Sequence, residues 1–448
     1  MSSTVVTERA SQGTSSSLTK LLARGTSISL LLRIAAQLLA FASVLLFART
    51  MEKGQYGQYL YVVAWMNIAA MIGVIGLNNA NVRFLSDYVA KGNWGKARGL
   101  FRRSIQTVFA LSILLAVAIA AVVWFVVPIE QRSLAVTWWI ACLALPMMAA
   151  TAVISGSLRG LKLILWSKFT EVIVRPLAVV TPVALLFYYD RNITPALAMT
   201  FFMTGTVLSA LLGIVVWRRN TPSEIRTAPV EYETKGWLKT SAPLLLVSAT
   251  FYLINQTDTL MIGAFLGLEH TEGYSTASRI AALVAFGMMG IQSIAGPLIS
   301  EAYWSKRRHR LDRILNMTAC VSVLFAIPTA LILMFFGSAL LSVFRADFTS
   351  ASTSLTILCA AQLFNTITGA TGLMMTMTGR EKTIAIVIAL GVLLNIVLNY
   401  ILLPLYGITG AAIATCVASI TWNAIIVVYV YRKMEYFTLP RPWLFLAK

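Results

Sequence analysis

Apolar residues fall along this chain in long, nearly unbroken runs. From Gly25 to Tyr431 these runs follow one another with only short polar segments between them. A helix needs about 20 apolar residues to cross a hydrocarbon layer about 30 Å thick at about 1.5 Å rise per residue. The pattern predicts twelve such helices, at 26–47, 58–81, 104–128, 134–156, 170–189, 194–217, 240–265, 274–298, 316–340, 353–378, 383–403 and 409–431. Residues 1–20 are polar and rich in Ser and Thr. They lack the apolar core and cleavage site of a signal peptide and are expected to form a disordered cytoplasmic tail.

Composition sharpens this reading. The chain is 58% hydrophobic and 12% charged, with a mean hydropathy of +0.78. A soluble core cannot absorb that excess, but lipid can. The fold class expected is an all-α integral membrane protein. The net charge of +19 comes from 36 lysines and arginines, and most of them lie on alternate connections (82–103, 157–169, 218–239, 299–315, 379–382) and on both tails. On the opposite side stand Arg49, Lys53, Arg132, Arg191 and Arg345. The positive-inside rule therefore predicts cytoplasmic termini. Basic charge divided among short loops suits orientation and anionic lipid, not nucleic acid. The opposite connections are short, which leaves no room for the large acceptor domain of a membrane glycan polymerase.

The two halves resemble each other. Gly57 in GlnTyrGlyGlnTyr (55–59) pairs with Gly273 in GluGlyTyr (272–274), 216 residues on. IleThrProAlaLeuAla (193–198) pairs with IleThrGlyAlaAlaIle (408–413), and TrpArgArg (217–219) with TyrArgLys (431–433). A repeat of six helices keeps the same topology in both halves, as suits two lobes around a shared central site. The expected division is a tail (1–25), a first six-helix lobe (26–219), a linker (220–239), a second lobe (240–433) and a cytoplasmic tail (434–448).

Residues 257–280, with ThrAspThrLeuMetIleGly and GluGlyTyrSerThrAlaSerArgIle, and residues 395–415, AsnIleValLeuAsnTyrIleLeuLeuProLeuTyrGlyIleThrGlyAlaAlaIleAlaThr, resemble the polysaccharide-transport flippases. These are the O-antigen and exopolysaccharide lipid flippases of the multidrug/oligosaccharidyl-lipid/polysaccharide exporter superfamily. The resemblance implies a bacterial inner-membrane transporter that is not an enzyme. It would move an undecaprenyl-pyrophosphate-linked oligosaccharide outward by alternating access, driven by an ion gradient or the membrane potential. It implies a coupling cation or proton, and a polysaccharide polymerase or co-polymerase as a candidate partner; since one chain contains both lobes, a monomer is expected.

Charge inside a span costs about 2.5–3.5 kcal/mol at mid-helix, so such residues are the candidates for function. Arg33, Arg175 and Arg279 are the basic residues placed within spans. Arg33 is read either as a cavity group binding pyrophosphate through its bidentate fork or as a snorkelled anchor. In the resembling lipid flippases cavity arginines sit on the first and eighth helices, which are the helices of Arg33 and Arg279. Asp258 and Arg279 fall at similar depth, about 8–10 Å from the outer face. They are read either as a plain salt bridge or as a switch in which Asp258, with Asn255, binds a cation or proton and frees Arg279 for substrate. Arg175, before Pro176, is read as an interface anchor or a cavity group, and Glu171 could pair with it at i,i+4. Gln37, Asn67, Gln292, Gln362, Asn365, Asn395 and Asn399 are expected to form interhelical hydrogen bonds, with a few meeting sugar hydroxyls.

The loops 82–103 and 299–315 are expected to be amphipathic elements on the cytoplasmic surface, or a basic gate. Prolines in the spans suit bending helices. Cys142, Cys320, Cys359 and Cys416 are expected to be buried reduced thiols. No nucleophile triad, phosphate loop, cofactor motif or metal cluster stands out; His270 and His309 lie apart in loops. The alternatives are a multidrug or organic-cation antiporter, which would want carboxylates in its cavity, and a membrane glycan polymerase.

Overall fold

The computed structural model describes residues 31–32, 34–127 and 132–442, and among them every regular element is a helix. In lipid each backbone N–H and C=O must bond within its own segment, which leaves helices as the solution for apolar runs of this length. The first half holds α1 (Ile34–Thr50), α2 (Gln55–Val74), α3 (Leu77–Lys91), α4 (Trp94–Val126), α5 (Arg132–Gly160), α6 (Ile164–Lys168), α7 (Arg175–Tyr188) and α8 (Pro195–Asn220). A π-helical turn, Phe169–Val174, joins α6 to α7. A short α9 (Ser223–Thr227) lies in the linker. The second half holds α10 (Thr234–Phe265), α11 (Leu268–Ala281), α12 (Phe286–Trp304), α13 (Arg308–Phe344), α14 (Ser352–Ile367), α15 (Thr371–Met377) and α16 (Glu381–Tyr429).

Over the described residues each predicted span falls mostly on helix, and eight helices, or ten with each bent pair joined, are long and apolar enough to cross a membrane. Several are interrupted. Ile75 and Gly76, both at positive φ, separate α2 from α3. The inner and outer parts of α10 meet at 49°, and α14 meets α15 at 48°. α16 covers two predicted spans, turned at Gly407 (φ 57°, ψ −143°). Of the span prolines in the described residues, Pro404 lies near one of these breaks, while Pro146, Pro182, Pro297 and Pro328 sit inside continuous helix. Left-handed glycines and a π turn, more than prolines, set the irregularities.

The loops expected at 82–103 and 299–315 are instead helical extensions. Only residues 92–93 and 305–307 lie outside helix there. Hydropathy stops at the membrane edge, but the helix continues because its polar turns find partners. Ser86 Oγ donates to the Gly160 carbonyl, and Trp237 Nε1 donates to Tyr88 Oη at 2.9 Å.

The helices form two six-helix lobes. In the first, α5 is the buried central strut and α4 faces lipid. Small residues let the strut approach its neighbours: a Cβ on Gly156 would fall 2.1 Å from the Asn78 carbonyl oxygen of α3. Between lobes, α2 and α3 run along α10 and α11. A Cβ on Gly263 of α10 would meet the Tyr61 ring at 2.4 Å. At one end of the bundle the linker is docked on the first lobe. Glu231 N donates to the Gly95 carbonyl at 3.2 Å, and a Cβ on Gly99 would lie 1.8 Å from the Glu231 carbonyl oxygen. α10 therefore begins on the first lobe and ends, beyond its bend, bonded to the second. Residues 435–442 return beneath the second lobe, where Arg441 N donates to Asn316 Oδ1 at 2.7 Å. Cys142 and Cys359 are buried, whereas Cys320 and Cys416 are half-buried, contrary to expectation; all four are free thiols.

Candidate functional site

A cavity of about 390 Å³ lies between the lobes, walled by α2 on one side and by α10, α11, α14 and α16 on the other. Its charged lining residues are Asp258 and Arg279. The expected salt bridge between them is absent: among the described residues Asp258 is held by four uncharged donors. Tyr274 Oη and Thr415 Oγ1 donate to Oδ2, each at 2.6 Å. Asn399 Nδ2 and Asn395 Nδ2 donate to Oδ1, at 3.0 and 3.3 Å. Asn395 also donates to Thr415 Oγ1 at 3.0 Å. The donors come from α11 and from both arms of α16, so the Gly407 break is what lets one helix reach the carboxylate twice. These four hydrogen bonds occupy both carboxylate oxygens without a cation.

Arg279, one turn beyond Ser275 on α11, is exposed to this cavity. Among the described residues it makes no ion pair. Asn255 lines the same cavity, on the α10 turn before Asp258. Arg175 is not here. It lines a smaller adjoining pocket with Glu171, Asn78, Ser248 and Tyr252, and the two spaces share Asn67 of α2. The i,i+4 pair of Glu171 with Arg175 does not form. The intervening π turn widens the helix and changes the register between the two residues. Arg175 lies over the Phe202 ring, 5.5 Å from its centroid, with its Nε buried and unpartnered. Glu171 accepts from Ser155 Oγ at 2.8 Å. Arg33 lies outside the described residues.

At the end of the cavity away from the linker, contacts between the lobes close it. Glu272, with no exposed surface, accepts from the Gly57 N–H at 2.9 Å and is ion-paired to Arg345. Arg345 also pairs with Asp347 at 2.7 Å and lies over the Phe348 ring. Arg49 of α1 donates to the Val343 carbonyl at 2.7 Å. A Cβ on Gly57 would stand 1.8 Å from the Leu268 carbonyl oxygen, so only glycine permits this approach of α2 to α11. Glu272 was missed by the sequence reading, which began this span at 274, whereas the helix begins at Leu268. Tyr274 and Thr415 were missed because hydroxyls are common in spans and carry no charge signal. Asn395 and Asn399 were visible as polar residues, but their shared partner was not.

A family model described as "Polysaccharide biosynthesis protein" matches residues 22–303, more than half of the chain. The chain belongs to that family. A second family model, MatE, matches residues 243–401. "Probable low-salt glycan biosynthesis flippase Agl15" of Haloferax volcanii is 26% identical over 216 residues, covering 47% of this chain and 46% of that protein. The match thus spans about half the length of that relative. "Uncharacterized membrane protein MJ1068" of Methanocaldococcus jannaschii is 20% identical across 94% of this chain and 86% of its own length. Among solved structures, an inward-facing multidrug resistance MATE family transporter of the MOP superfamily superposes with a TM-score of 0.75 at 12% identity, over 89% of this chain and 94% of its own. "Lipid II flippase MurJ, inward closed conformation" superposes at 0.69 and 17% identity, over 89% and 87%. This member of the polysaccharide biosynthesis family therefore has the two-lobed fold of that superfamily.

Proposed function

We propose that this protein is a flippase that carries an undecaprenyl-diphosphate-linked oligosaccharide from the cytoplasmic to the outer leaflet by alternating access of its lobes. The observation that carries the reading is Arg279: a guanidinium open to the inter-lobe cavity, beside a carboxylate whose charge is already met by four donors. In a confined cavity such a cation attracts an anion, and its planar fork suits a diphosphate. The flippase names of the Haloferax volcanii relatives support the same substrate class. The outer seal at Glu272, Arg345 and Gly57 fits a state that receives substrate from the cytoplasmic side, and the basic cytoplasmic connections suit the approach of an anionic lipid. Arg175, in the adjoining pocket, is proposed as a second contact for the headgroup. Arg33 is retained as a third on the strength of the sequence.

Asp258 is assigned the coupling role, with Asn255 next to it. Asn399 Oδ1 is buried and has no hydrogen-bond partner among the described residues. Together with the Asp258 carboxylate and Thr415 Oγ1 it makes a set of hard oxygen donors suited to a small cation.

The MatE match over residues 243–401 favours one competing reading, a cation antiporter. That reading would place a drug cation against Asp258. The four donors around the carboxylate oppose it, because a bulky cation would have to displace them. Binding of undecaprenyl diphosphate to the purified protein in nanodiscs separates the two. Arg279→Ala is expected to weaken binding about 10- to 100-fold, the value of a charge-assisted contact, with Arg279→Lys in between. Equal binding by wild type and Arg279→Ala would remove the diphosphate site.

A further inference from the structure

The headgroup charge accounts for one part of a glycolipid; the glycan itself needs a different surface. A second cavity of about 390 Å³ lies inside the second lobe, among α10, α12, α14, α15 and α16. It meets the inter-lobe cavity at Ile254, Asn365 and Trp422, which line both. Its size is within the range of small-ligand sites. Among the described residues no charged side chain lines it.

Two features of its walls point to one ligand chemistry. The first is a fixed aromatic platform. The Trp422 indole packs against Gly391, where a Cβ would fall 2.5 Å from Cε3, so the absence of a side chain there seats the ring against the first arm of α16. The remaining ring surface borders both cavities. The second is a set of amides with spare capacity. Among the described residues, the side chains of Gln292, Gln362 and Asn365 make no hydrogen bond to protein, yet they are half-buried and border the cavities. Each carries both donors and an acceptor. The break between α14 and α15, with Gly369 at φ +69°, also lines this space. Irregular backbone at membrane depth is tolerated where it faces a polar cavity and not lipid.

A diphosphate would find no cation in the second cavity, and an isoprenoid chain there would leave the Gln292 and Asn365 amides desolvated. A neutral sugar ring satisfies both features: its hydroxyls each donate and accept, and its C–H face lies against an indole. We propose that Trp422, with Gln292, Gln362 and Asn365, forms a sugar subsite that receives neutral pyranose rings of the lipid-linked glycan beside Arg279. This rests on the flippase reading above. It adds that the protein distinguishes a glycosylated lipid from a bare one through the second lobe.

The test uses the full chain in nanodiscs, titrated with undecaprenyl diphosphate bearing a neutral trisaccharide and with undecaprenyl diphosphate alone. Trp422→Ala is expected to weaken binding of the glycosylated lipid by about tenfold while leaving the bare lipid unchanged, and Trp422→Phe to keep most of the preference. Should Trp422→Ala fail to fold, Asn365→Ala and Gln292→Ala, which leave the ring in place, are expected to show the same selective loss. Equal weakening of both lipids, or no weakening of either, overturns the subsite. Wild type that binds both lipids equally also overturns it and leaves the flippase reading standing. Wild type that binds neither removes both, and only that outcome touches the flippase reading.

Discussion

At Asp258 the chemistry of a single side chain decides what a substitution tests. An ionised carboxylate accepts on both oxygens, and here each oxygen has two donors. Asparagine keeps one acceptor and turns its NH₂ toward hydroxyls of Tyr274 and Thr415 that can themselves accept. Asp258→Asn is therefore expected to fold and express normally while losing ion-dependent transport, read as flux that no longer responds to an imposed cation gradient. Undiminished coupled flux would remove Asp258 from the coupling role. Glu272 gives a second prediction. Its bond from the Gly57 N–H crosses between the lobes, while its pair with Arg345 holds the carboxylate in place within the second lobe; removing the charge weakens the bond to Gly57 by about 1 kcal/mol. Glu272→Gln should raise labelling of Ser278→Cys by a membrane-impermeant thiol reagent from outside, in a background without other cysteines; unchanged labelling would contradict the seal. Asp258 was legible in the sequence because a lone acid in an apolar run is costly. Glu272 was not, because a helix that starts six residues earlier than its hydropathy suggests hides a buried acid in an apparent loop.

Helices carry the next set of consequences. The apolar runs and the three repeat anchors made the spans readable, since lipid demands continuous helix over a fixed length. The breaks were not readable, because they depend on which neighbour a turn must face. α16 is the clearest instance: hydropathy placed two spans there, and the structure joins them through Gly407, whose backbone lies in a region that favours glycine. Nothing stands within 4 Å of a Cβ added there. Gly407→Ala thus tests backbone strain alone and should cost about 1–3 kcal/mol, measured as a lower thermal midpoint in detergent. Gly57→Ala differs in kind. Its Cβ would collide with the Leu268 carbonyl, forcing α2 from α11 at their outer ends. It should act in the same direction as Glu272→Gln, opening the outer face, and reduced outer labelling would be the contrary result.

Across the whole molecule, two lobes share one helix. α10 starts on the first lobe through Trp237 and Tyr88, bends, and ends at the Asp258 cluster of the second. A cation at Asp258 would thereby act on the helix that links both halves, which is a physical route from ion binding to lobe movement. The asymmetric distribution of basic residues predicts that a fluorescent protein fused after Lys448 is bright and a fused alkaline phosphatase inactive in a bacterial host; an active phosphatase would invert the orientation. The central claim is transport of an anionic glycolipid through the inter-lobe cavity. Its most direct test is flipping of a fluorescent undecaprenyl-diphosphate oligosaccharide in proteoliposomes, run beside extrusion of a cationic dye by the same preparation. Wild type is expected to move the lipid, Arg279→Ala to leave it in place, and the dye to stay. Extrusion of the dye with the lipid left in place would contradict it.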